Sequence, residues 1–379
     1  DMRVLLLALC LAAVVSAREG VYWRSNITDA YSSGHDAFGS SVALGGGYAV
    51  VGAPGAGAAY IYHTKDNGSH WSFVQALSAP SGVHNYGWGV GIAGPYVAVS
   101  APSHGASGTS TVVVYKSGHK GFSQYQVFSD ADSTYGESLA LTTAQTGERV
   151  LVVGTPGTGR QMGKAHRYVS MGATFSEGRL LEEGARCPGM GYTVSANGDW
   201  IVLGSREGGC AAVFARVGKD LGQYWGDVTE SCAGALSVAV QEGGHGDTLL
   251  SLGCGSATVG GKVKAGRAWV YRIDGWDIDE EETFSGNTTG AQLGAAVGID
   301  SAFLAIGAPG ANGSYGEVSV YHRDWTDWDR EGVFTHTGAH VNKVGMGQAI
   351  AMDQTGFLAG CPLYHSGTGM VASFGVQME

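Results

Sequence analysis

The chain has 379 residues, of which 44% are hydrophobic and only 15% are charged, and its formal net charge is −11. There are 64 glycines and 8 prolines, without a Gly-x-y period, which excludes collagen, and the apolar content excludes a disordered chain. The acidic balance disfavours nucleic acids and anionic membranes as partners, because both attract Lys and Arg. A globular β-protein with many tight turns remains.

The first predicted element is a secretory signal peptide at residues 2–17. Arg3 supplies a positive charge, residues 4–15 form an unbroken apolar run, and Ala17 is a small residue at the predicted cleavage site before Arg18. A bilayer-spanning helix needs about 20 apolar residues, so this run is short for that purpose. A retained signal anchor is the alternative. We expect a secreted or cell-surface protein whose mature chain does not insert into a membrane.

Four N-glycosylation sequons agree with an extracellular location. Each has the pattern Asn-x-Ser/Thr, and they begin at Asn26, Asn67, Asn287 and Asn312. In a eukaryotic source we expect glycans at these positions.

A three-part phrase then recurs along the rest of the chain. In its first copy, Phe38-Gly39 is followed by Gly52-Ala-Pro54 and then by Ala59-Tyr-Ile-Tyr62. Six further copies begin near Tyr86, Tyr135, Met190, Ala233, Leu293 and Met346. Within each copy, short Val, Ile, Ala and Leu runs alternate with Gly, Pro, Asn and Ser turns, which predicts strands rather than helices.

Seven copies of about 50 residues, each with four strand segments, predict an all-β fold, a seven-bladed β-propeller of four-stranded antiparallel blades. The copies predict blades at residues 36–80, 81–131, 132–183, 184–230, 231–286, 287–338 and 339–379. The last copy has only three strands. We expect residues 18–35, with the strand Val21 to Ile27, to supply its fourth strand and close the ring, which removes an exposed sheet edge.

An aromatic residue closes the third strand of every copy. We expect these residues to pack between blades rather than to bind a ligand; they are Tyr62, Tyr115, Tyr168, Phe214, Tyr271, Tyr321 and Phe374.

The pair Phe38-Gly39, together with Gly52-Ala-Pro54, resembles the FG-GAP repeat, the blade motif of integrin α-subunit propellers and of many secreted propeller proteins. The resemblance extends over essentially all of residues 18–379. It implies a seven-bladed propeller that works in extracellular adhesion or assembly, although one fold serves many functions.

Integrin-type repeats often carry a calcium loop of the form D-x-D-x-D-G between the first two strands of a blade. The corresponding loops here, such as Gly45-Gly-Gly47 and Asp353-Gln-Thr-Gly356, lack enough carboxylates for a calcium site. We therefore expect no metal site in these loops and no cofactor. Acidic clusters at 130–132, 277–282 and 324–329 are interpreted as a solvated outer rim that discourages strand pairing.

Catalytic motifs are absent from the sequence. There is no His-Glu-x-x-His, no Gly-x-Ser-x-Gly and no P-loop, and the twelve histidines are scattered along the chain. We predict that the protein is not an enzyme and has no catalytic residues, although a distant pair of carboxylates for glycoside hydrolysis is a remaining alternative.

The mature cysteines predict two bridges within blades. Cys187 and Cys210 are 23 residues apart, and Cys232 and Cys254 are 22 apart, at similar places in blades four and five. These spacings favour the pairs Cys187–Cys210 and Cys232–Cys254, with Cys187–Cys232 as the main rival. Cys361 takes the place of Ala in Gly-Ala-Pro and is expected to be buried.

The loops after each second strand and before each first strand are predicted to share one face of the propeller. They vary between copies while the strands do not, as expected for recognition loops on a scaffold. The candidate binding residues in or near them are Trp88, His104, Arg160, Lys262, Lys264 and Tyr315.

The leading hypothesis is a secreted, non-catalytic propeller that binds an extracellular protein or glycan, as an adhesion module or as part of a larger surface assembly. A lectin is the second hypothesis, because the nine tryptophans offer surfaces for stacking sugars. Most of them, including Trp23, Trp71, Trp200 and Trp269, fall in strands where packing explains them. A carbohydrate-active enzyme is the third hypothesis.

Overall fold

A computed structural model describes residues 12–14, 21–28, 35–105, 108–158, 161–172, 174–182, 188–218, 220–242, 246–324, 327–336 and 343–376. The fold is all-β, with seven sheets of consecutive antiparallel strands arranged as the blades of a propeller. Two four-residue helical turns, Ala311–Ser314 and Tyr364–Gly367, lie in loops. Within the described residues, no helix has the length and apolar character needed to cross a membrane.

The first four blades follow the predicted order. Blade 1 contains Ser41–Gly45, Tyr48–Ala53, Ala58–His63 and Ser72–Ser78. Blade 2 contains Val90–Ala93, Tyr96–Ala101, Ser110–Gly118 and Gly121–Asp130. Blade 3 contains Leu139–Thr143, Arg149–Thr155, Lys164–Ser170 and Ser176–Leu181, and blade 4 contains Thr193–Asn197, Trp200–Gly204, Cys210–Val217 and Asp220–Thr229.

The last three blades complete the series. Blade 5 contains Ser237–Glu242, Thr248–Cys254, Arg267–Asp274 and Asp277–Ser285. Blade 6 contains Ala296–Ile299, Phe303–Ala308, Glu317–Asp324 and Asp327–His336. Ala12–Val14 pairs with the C-terminal end of the last of these strands. Blade 7 contains Ala349–Asp353, Gly356–Cys361 and Met370–Val376, and its fourth strand is Val21–Thr28 from the N-terminal region.

The core consists of layers between neighbouring blades. The described residues form seven buried apolar clusters, and each cluster joins two adjacent blades around the ring. Side chains alternate between the two faces of a strand. In blade 1, Val50 therefore packs toward blade 2 while Ala49 and Val51 pack toward blade 7. This burial on both faces explains why the second strands are largely apolar.

The aromatic residues at the ends of the third strands belong to these layers. Tyr321 is partly buried, and the others, Tyr62, Tyr115, Tyr168, Phe214, Tyr271 and Phe374, are buried. In blade 2 the phenol oxygens of Tyr86 and Tyr115 lie 2.6 Å apart, and in blade 3 those of Tyr135 and Tyr168 lie 2.9 Å apart. The predicted packing role of these aromatic residues is confirmed.

The repeated glycines serve the contact between one blade and the next. A Cβ atom on Gly52 of blade 1 would overlap the carbonyl oxygen of Gly87 of blade 2. The same relation recurs around the ring in the pairs Gly154–Gly191, Gly253–Gly294, Gly307–Gly347 and Gly360–Gly39. The two motif glycines thus recur in most repeats because the backbones of neighbouring blades approach closely there.

Blade 5 contains the disulfide between Cys232 and Cys254, with Cα atoms 6.0 Å apart. This pairing confirms the within-blade bridge and excludes the rival Cys187–Cys232. Cys210 is also disulfide-bonded, while its expected partner, Cys187, lies outside the described residues. Cys361 is buried, and its thiol lies 3.7 Å from the carbonyl oxygen of Ala359.

The interpretation of the acidic clusters as a solvated rim needs one correction. In the cluster at 277–282, Glu281 is buried and pairs with Arg323 of blade 6. Arg323 also lies 2.9 Å from Asp247. The exception arises because Glu281 is on the face of its strand that meets the next blade, whereas Asp277, Asp279 and Glu280 are exposed.

Candidate functional site

A cavity of about 1050 Å³ lies on the propeller axis and is lined by all seven blades. An apolar residue from each first strand forms part of its wall; these are Val42, Val90, Leu139, Val194, Val238, Val297 and Ile350. Loops before the first strands and after the second strands also contribute, among them His35, Pro54 and His365. The cavity therefore belongs to the face carrying these loops, which we call the mouth face.

The repeat places specific side chains around this cavity. Six motif glycines, which are Gly39, Gly87, Gly136, Gly191, Gly294 and Gly347, have φ angles of 90, 93, 85, 84, 84 and 88°. Glycine adopts these values without steric cost. The residue directly after the glycine lines the cavity in all six repeats, and these residues are Ser40, Trp88, Glu137, Tyr192, Ala295 and Gln348.

Blades 2, 3 and 4 bring together five polar and aromatic side chains, Trp88, His104, Glu137, Tyr192 and Arg206, which we call the mouth cluster. The rings of Trp88 and His104 meet edge to face, with centroids 4.6 Å apart. Nε2 of His104 lies 2.8 Å from a carboxylate oxygen of Glu137. The guanidinium carbon of Arg206 lies 5.5 Å from the ring centroid of Tyr192. These contacts restrain side chains that come from three different repeats.

Electrostatics in the mouth cluster keep Tyr192 neutral at physiological pH. Burial raises the pKa of Tyr192, the negative charge of Glu137 raises it further, and the positive charge of Arg206 acts in the opposite direction. Arg206 is held in place by donating a hydrogen bond to the carbonyl oxygen of Gly157 at 2.9 Å. The phenol of Tyr192 can therefore both donate and accept a hydrogen bond.

The opposite side of the mouth is basic. His35, Lys343 and His365 line the cavity there, and all three are exposed. His35, His365 and Ser366 have φ angles of 65, 46 and 60°, a left-handed conformation that is uncommon for residues other than glycine. Such strain is found where the surrounding structure imposes it, often at binding sites.

The structure brings together only some of the residues predicted from the sequence. Trp88 and His104 are in contact, and Trp88 lines the cavity. Lys262 and Lys264 are exposed in the blade 5 loop of the same face but do not line the cavity. Tyr315 is partly buried against the core between blades 6 and 7, so it is not a freely exposed binding residue. Arg160 lies outside the described residues.

Sequence reasoning missed Glu137, Tyr192 and Arg206. A signal for the first two is present in the repeat, because both directly follow a motif glycine, as Trp88 does. Arg206 stands where other copies complete Gly-Ala-Pro, so the departure from the motif in blade 4 also marked a residue of the site.

The chemistry of the mouth cluster suits binding. Trp, Tyr and Arg are the residue types that dominate binding energy at protein interfaces. In the parts of the chain that the structure describes, no three His, Cys, Asp or Glu side chains are grouped so that they could hold a metal ion.

The four sequons differ in accessibility. Asn67, Asn287 and Asn312 are exposed, whereas Asn26 is half-buried in the fourth strand of blade 7. Asn287 and Asn312 lie on the mouth face at blades 5 and 6, away from the mouth cluster, and Asn67 lies in a turn on the opposite face.

Comparisons with known proteins bear on the fold more than on the site. The family model of the FG-GAP repeat matches residues 24–69, which include most of the fourth strand of blade 7 and the first three strands of blade 1. No curated protein matches the chain.

Proposed function

We propose that this seven-bladed β-propeller, whose residues 24–69 match the FG-GAP repeat, is a secreted, non-catalytic module that binds an extracellular partner protein through the mouth face. The observation that carries this proposal is the mouth cluster, which combines Trp88, Tyr192 and Arg206 beside a cavity of about 1050 Å³. Its role would be adhesion or assembly at the cell surface, as the resemblance to integrin α-subunit propellers suggests.

The mouth cluster is arranged before any partner binds. The edge-to-face contact of Trp88 with His104 and the hydrogen bond of His104 with Glu137 restrict these side chains in the unbound protein. Fixing a side chain costs about 0.5–1.5 kcal/mol on association. A cluster already fixed avoids part of that cost, which supports its use as a binding surface.

Several features support an extracellular location. The disulfide between Cys232 and Cys254 suits an oxidising compartment. Three sequons are exposed, and two of them, at Asn287 and Asn312, would place glycans on blades 5 and 6 of the mouth face. Glycans there would leave blades 2–4, which carry the mouth cluster, open to a partner.

The test is a comparison of variants in partner binding. The mature protein and its variants Trp88→Ala, Tyr192→Ala and Trp276→Ala are used to purify complexes from the native source, and any stoichiometric partner is then produced by itself for direct titration. We expect one partner whose affinity falls at least tenfold with either mouth variant. The variant Trp276→Ala, on the opposite face, serves as the matched control and should bind as the wild type does.

Two outcomes would overturn the proposal. Equal binding of the partner by the wild type and both mouth variants would remove the mouth face as the binding surface. Turnover of a substrate that is abolished by Glu137→Gln would replace the binding module with an enzyme.

A further inference from the structure

A stack of tryptophans lies on the face opposite the mouth, where the turns between first and second strands and between third and fourth strands are found. The rings of Trp225 and Trp276 are parallel within 4°, with centroids 3.8 Å apart. Trp200 meets Trp225 edge to face, with centroids 5.4 Å apart. Trp225 comes from the fourth strand of blade 4, and Trp276 comes from the turn between the last two strands of blade 5.

Packing accounts for two of the three tryptophans. Trp200 and Trp225 are partly buried against the core between blades 4 and 5. Trp276 is 72% exposed although one face of its indole rests on Trp225. Exposed aromatic surface of this kind, beside a cavity, is typical of a binding site rather than of a core.

A cavity of about 330 Å³ adjoins the stack; Trp200 and Trp225 line it, and so does Gly275, the residue before Trp276. Its wall also contains the polar side chains of Gln145, Glu242 and Asp247. Nε2 of Gln145 donates to a carboxylate oxygen of Glu242 at 2.8 Å, which holds the two side chains together. The volume is at the lower end of the range of ligand pockets, about 300–1,000 Å³.

Two buried polar atoms of this wall lack partners. Nε1 of Trp225 and Oδ1 of Asp247 are buried, and neither has a hydrogen-bond partner among the described residues. The other oxygen of Asp247 pairs with Arg323 at 2.9 Å. Both residues line the same cavity, but these two atoms are enclosed by protein, so the polar groups that a ligand can reach are those of Gln145 and Glu242.

We propose that Trp225, Trp276, Gln145, Glu242 and Asp247 form a binding site, the tryptophan site, for a neutral pyranose residue of a glycan. The C–H face of the sugar ring would stack on an exposed indole. A hydroxyl group both donates and accepts hydrogen bonds, so sugar hydroxyls can donate to the carboxylate of Glu242 and accept from the side-chain amide of Gln145.

The polar wall distinguishes this ligand from the alternatives. A lysine or arginine side chain would suit the carboxylates and the indole, but it has no acceptor for the amide N–H groups of Gln145. A proline-rich peptide offers few N–H donors to the carboxylate of Glu242. Sialylated or sulfated sugars would bring negative charge toward the carboxylates of Glu242 and Asp247. This site is independent of the proposed protein-binding function, because it lies on the other face.

The experiment measures binding of the full mature protein to an array of neutral, sialylated and sulfated oligosaccharides, with an oligo-arginine peptide and a proline-rich peptide as additional probes. Neutral glycans that bind are then titrated by calorimetry and by intrinsic fluorescence. We expect binding of at least one neutral glycan, a loss of at least tenfold in affinity with Trp276→Ala, and little change with Trp276→Tyr. The matched control Tyr22→Ala removes an exposed aromatic side chain from the outer strand of blade 7, outside both proposed sites, and should bind as the wild type does.

A second variant tests the polar contact separately from stacking. Gln145→Leu keeps a side chain of similar size but removes the amide that can donate to and accept from sugar hydroxyls, and we expect it to weaken binding severalfold without changing the preference for neutral sugars. Thermal unfolding of each variant verifies that it is folded.

Absence of binding to every neutral glycan would overturn the proposal, as would binding of only the charged glycans or of either peptide. So would glycan binding that Trp276→Ala leaves unchanged. None of these outcomes affects partner binding at the mouth, since that is judged by the mouth variants.

Discussion

His104 and Glu137 form a hydrogen bond across the boundary between blades 2 and 3, with 2.8 Å between Nε2 and a carboxylate oxygen. His104 lies in the loop after the second strand of blade 2, and Glu137 follows the motif glycine of blade 3. The pair therefore links two repeats at the mouth and supports Trp88, which packs edge to face on His104.

Removing Glu137 should destabilise the protein measurably. The side chain of Glu137 is only 11% exposed, so Glu137→Ala removes its hydrogen bond to the partly exposed His104, at a cost of about 0.5–1.5 kcal/mol. The matched control is His70→Ala, since the side chains of His70 and its partner Asp66 are 88% and 43% exposed, and exposed pairs of this kind contribute little to stability. Urea unfolding of both variants checks this, and equal losses would contradict it.

Gly52→Ala should be among the most destabilising single-methyl changes in the chain. The new Cβ would overlap the carbonyl oxygen of Gly87 in the next blade, and overpacking of this kind costs about 1–3 kcal/mol. Gly118→Ala is the control, because the nearest atom to its Cβ would be 3.8 Å away. Thermal unfolding should show a lower Tm for Gly52→Ala and almost no change in Tm for Gly118→Ala. If Gly52→Ala unfolds at the wild-type Tm, neighbouring blades can move apart at little cost in free energy, and the prediction is wrong.

Replacing Arg323 should destabilise the protein far more than replacing Arg272, although both side chains lie near Glu281. Arg323 is 4% exposed and pairs with Asp247 and Glu281, whereas Arg272 is 37% exposed and its Nε is 4.0 Å from Glu281. Arg323→Ala leaves buried carboxylates without their counter-charge, at a cost of about 3–5 kcal/mol. Arg272→Ala should cost about 0–1 kcal/mol. The free energies of unfolding of the two variants provide the test, and the reverse ranking would refute the assignment of Arg323 as the main partner of Glu281.

Acidification should weaken the fold partly through His336. Burial lowers the pKa of His336 from its ordinary value of 6.5, and the nearby His365 lowers it further. Since the folded state then binds this proton less readily than the unfolded state, the stabilising contribution is fully present above pH 6.5 and is lost as the pH falls toward the folded pKa. We expect His336→Gln to lose less stability than the wild type between pH 7.5 and about 5.

The control for His336 is His119→Gln, because His119 is exposed. The free energy of unfolding of His119→Gln should change with pH as that of the wild type does over the same range. If His336→Gln and the wild type lose the same stability on acidification, other groups must be responsible for the loss.

The Cys232–Cys254 bridge should stabilise blade 5. It joins residues 22 apart in the sequence, and a bridge that closes a loop of this size contributes about 3 kcal/mol in the chain-entropy model. The double variant C232A/C254A should therefore unfold at a lower temperature than the wild type. With a reducing agent present, the difference between the two should shrink, and a difference that persists in full would point to packing instead of the bridge.

The fold was largely predictable because its determinants are local and recur. The motif glycines, the apolar second strands and the aromatic residues of the third strands each appear in most copies, so a misreading in one copy is corrected by the others. The bridge Cys232–Cys254 followed from equivalent positions in two repeats. The candidate site was predicted less well: Trp88 and His104 were identified, but Glu137, Tyr192 and Arg206 were not.

The sequence by itself determined the number of blades, their strand order and the residues that pack between them, because side-chain alternation and the steric demand of close backbones act within each repeat. Only the tertiary structure decided which variable residues meet. Trp88, Glu137 and Tyr192 are far apart in the sequence and become neighbours on one cavity because the ring aligns equivalent positions of successive blades. Trp225 and Trp276 are also brought together only by the fold, since the turn of blade 5 reaches the outer strand of blade 4.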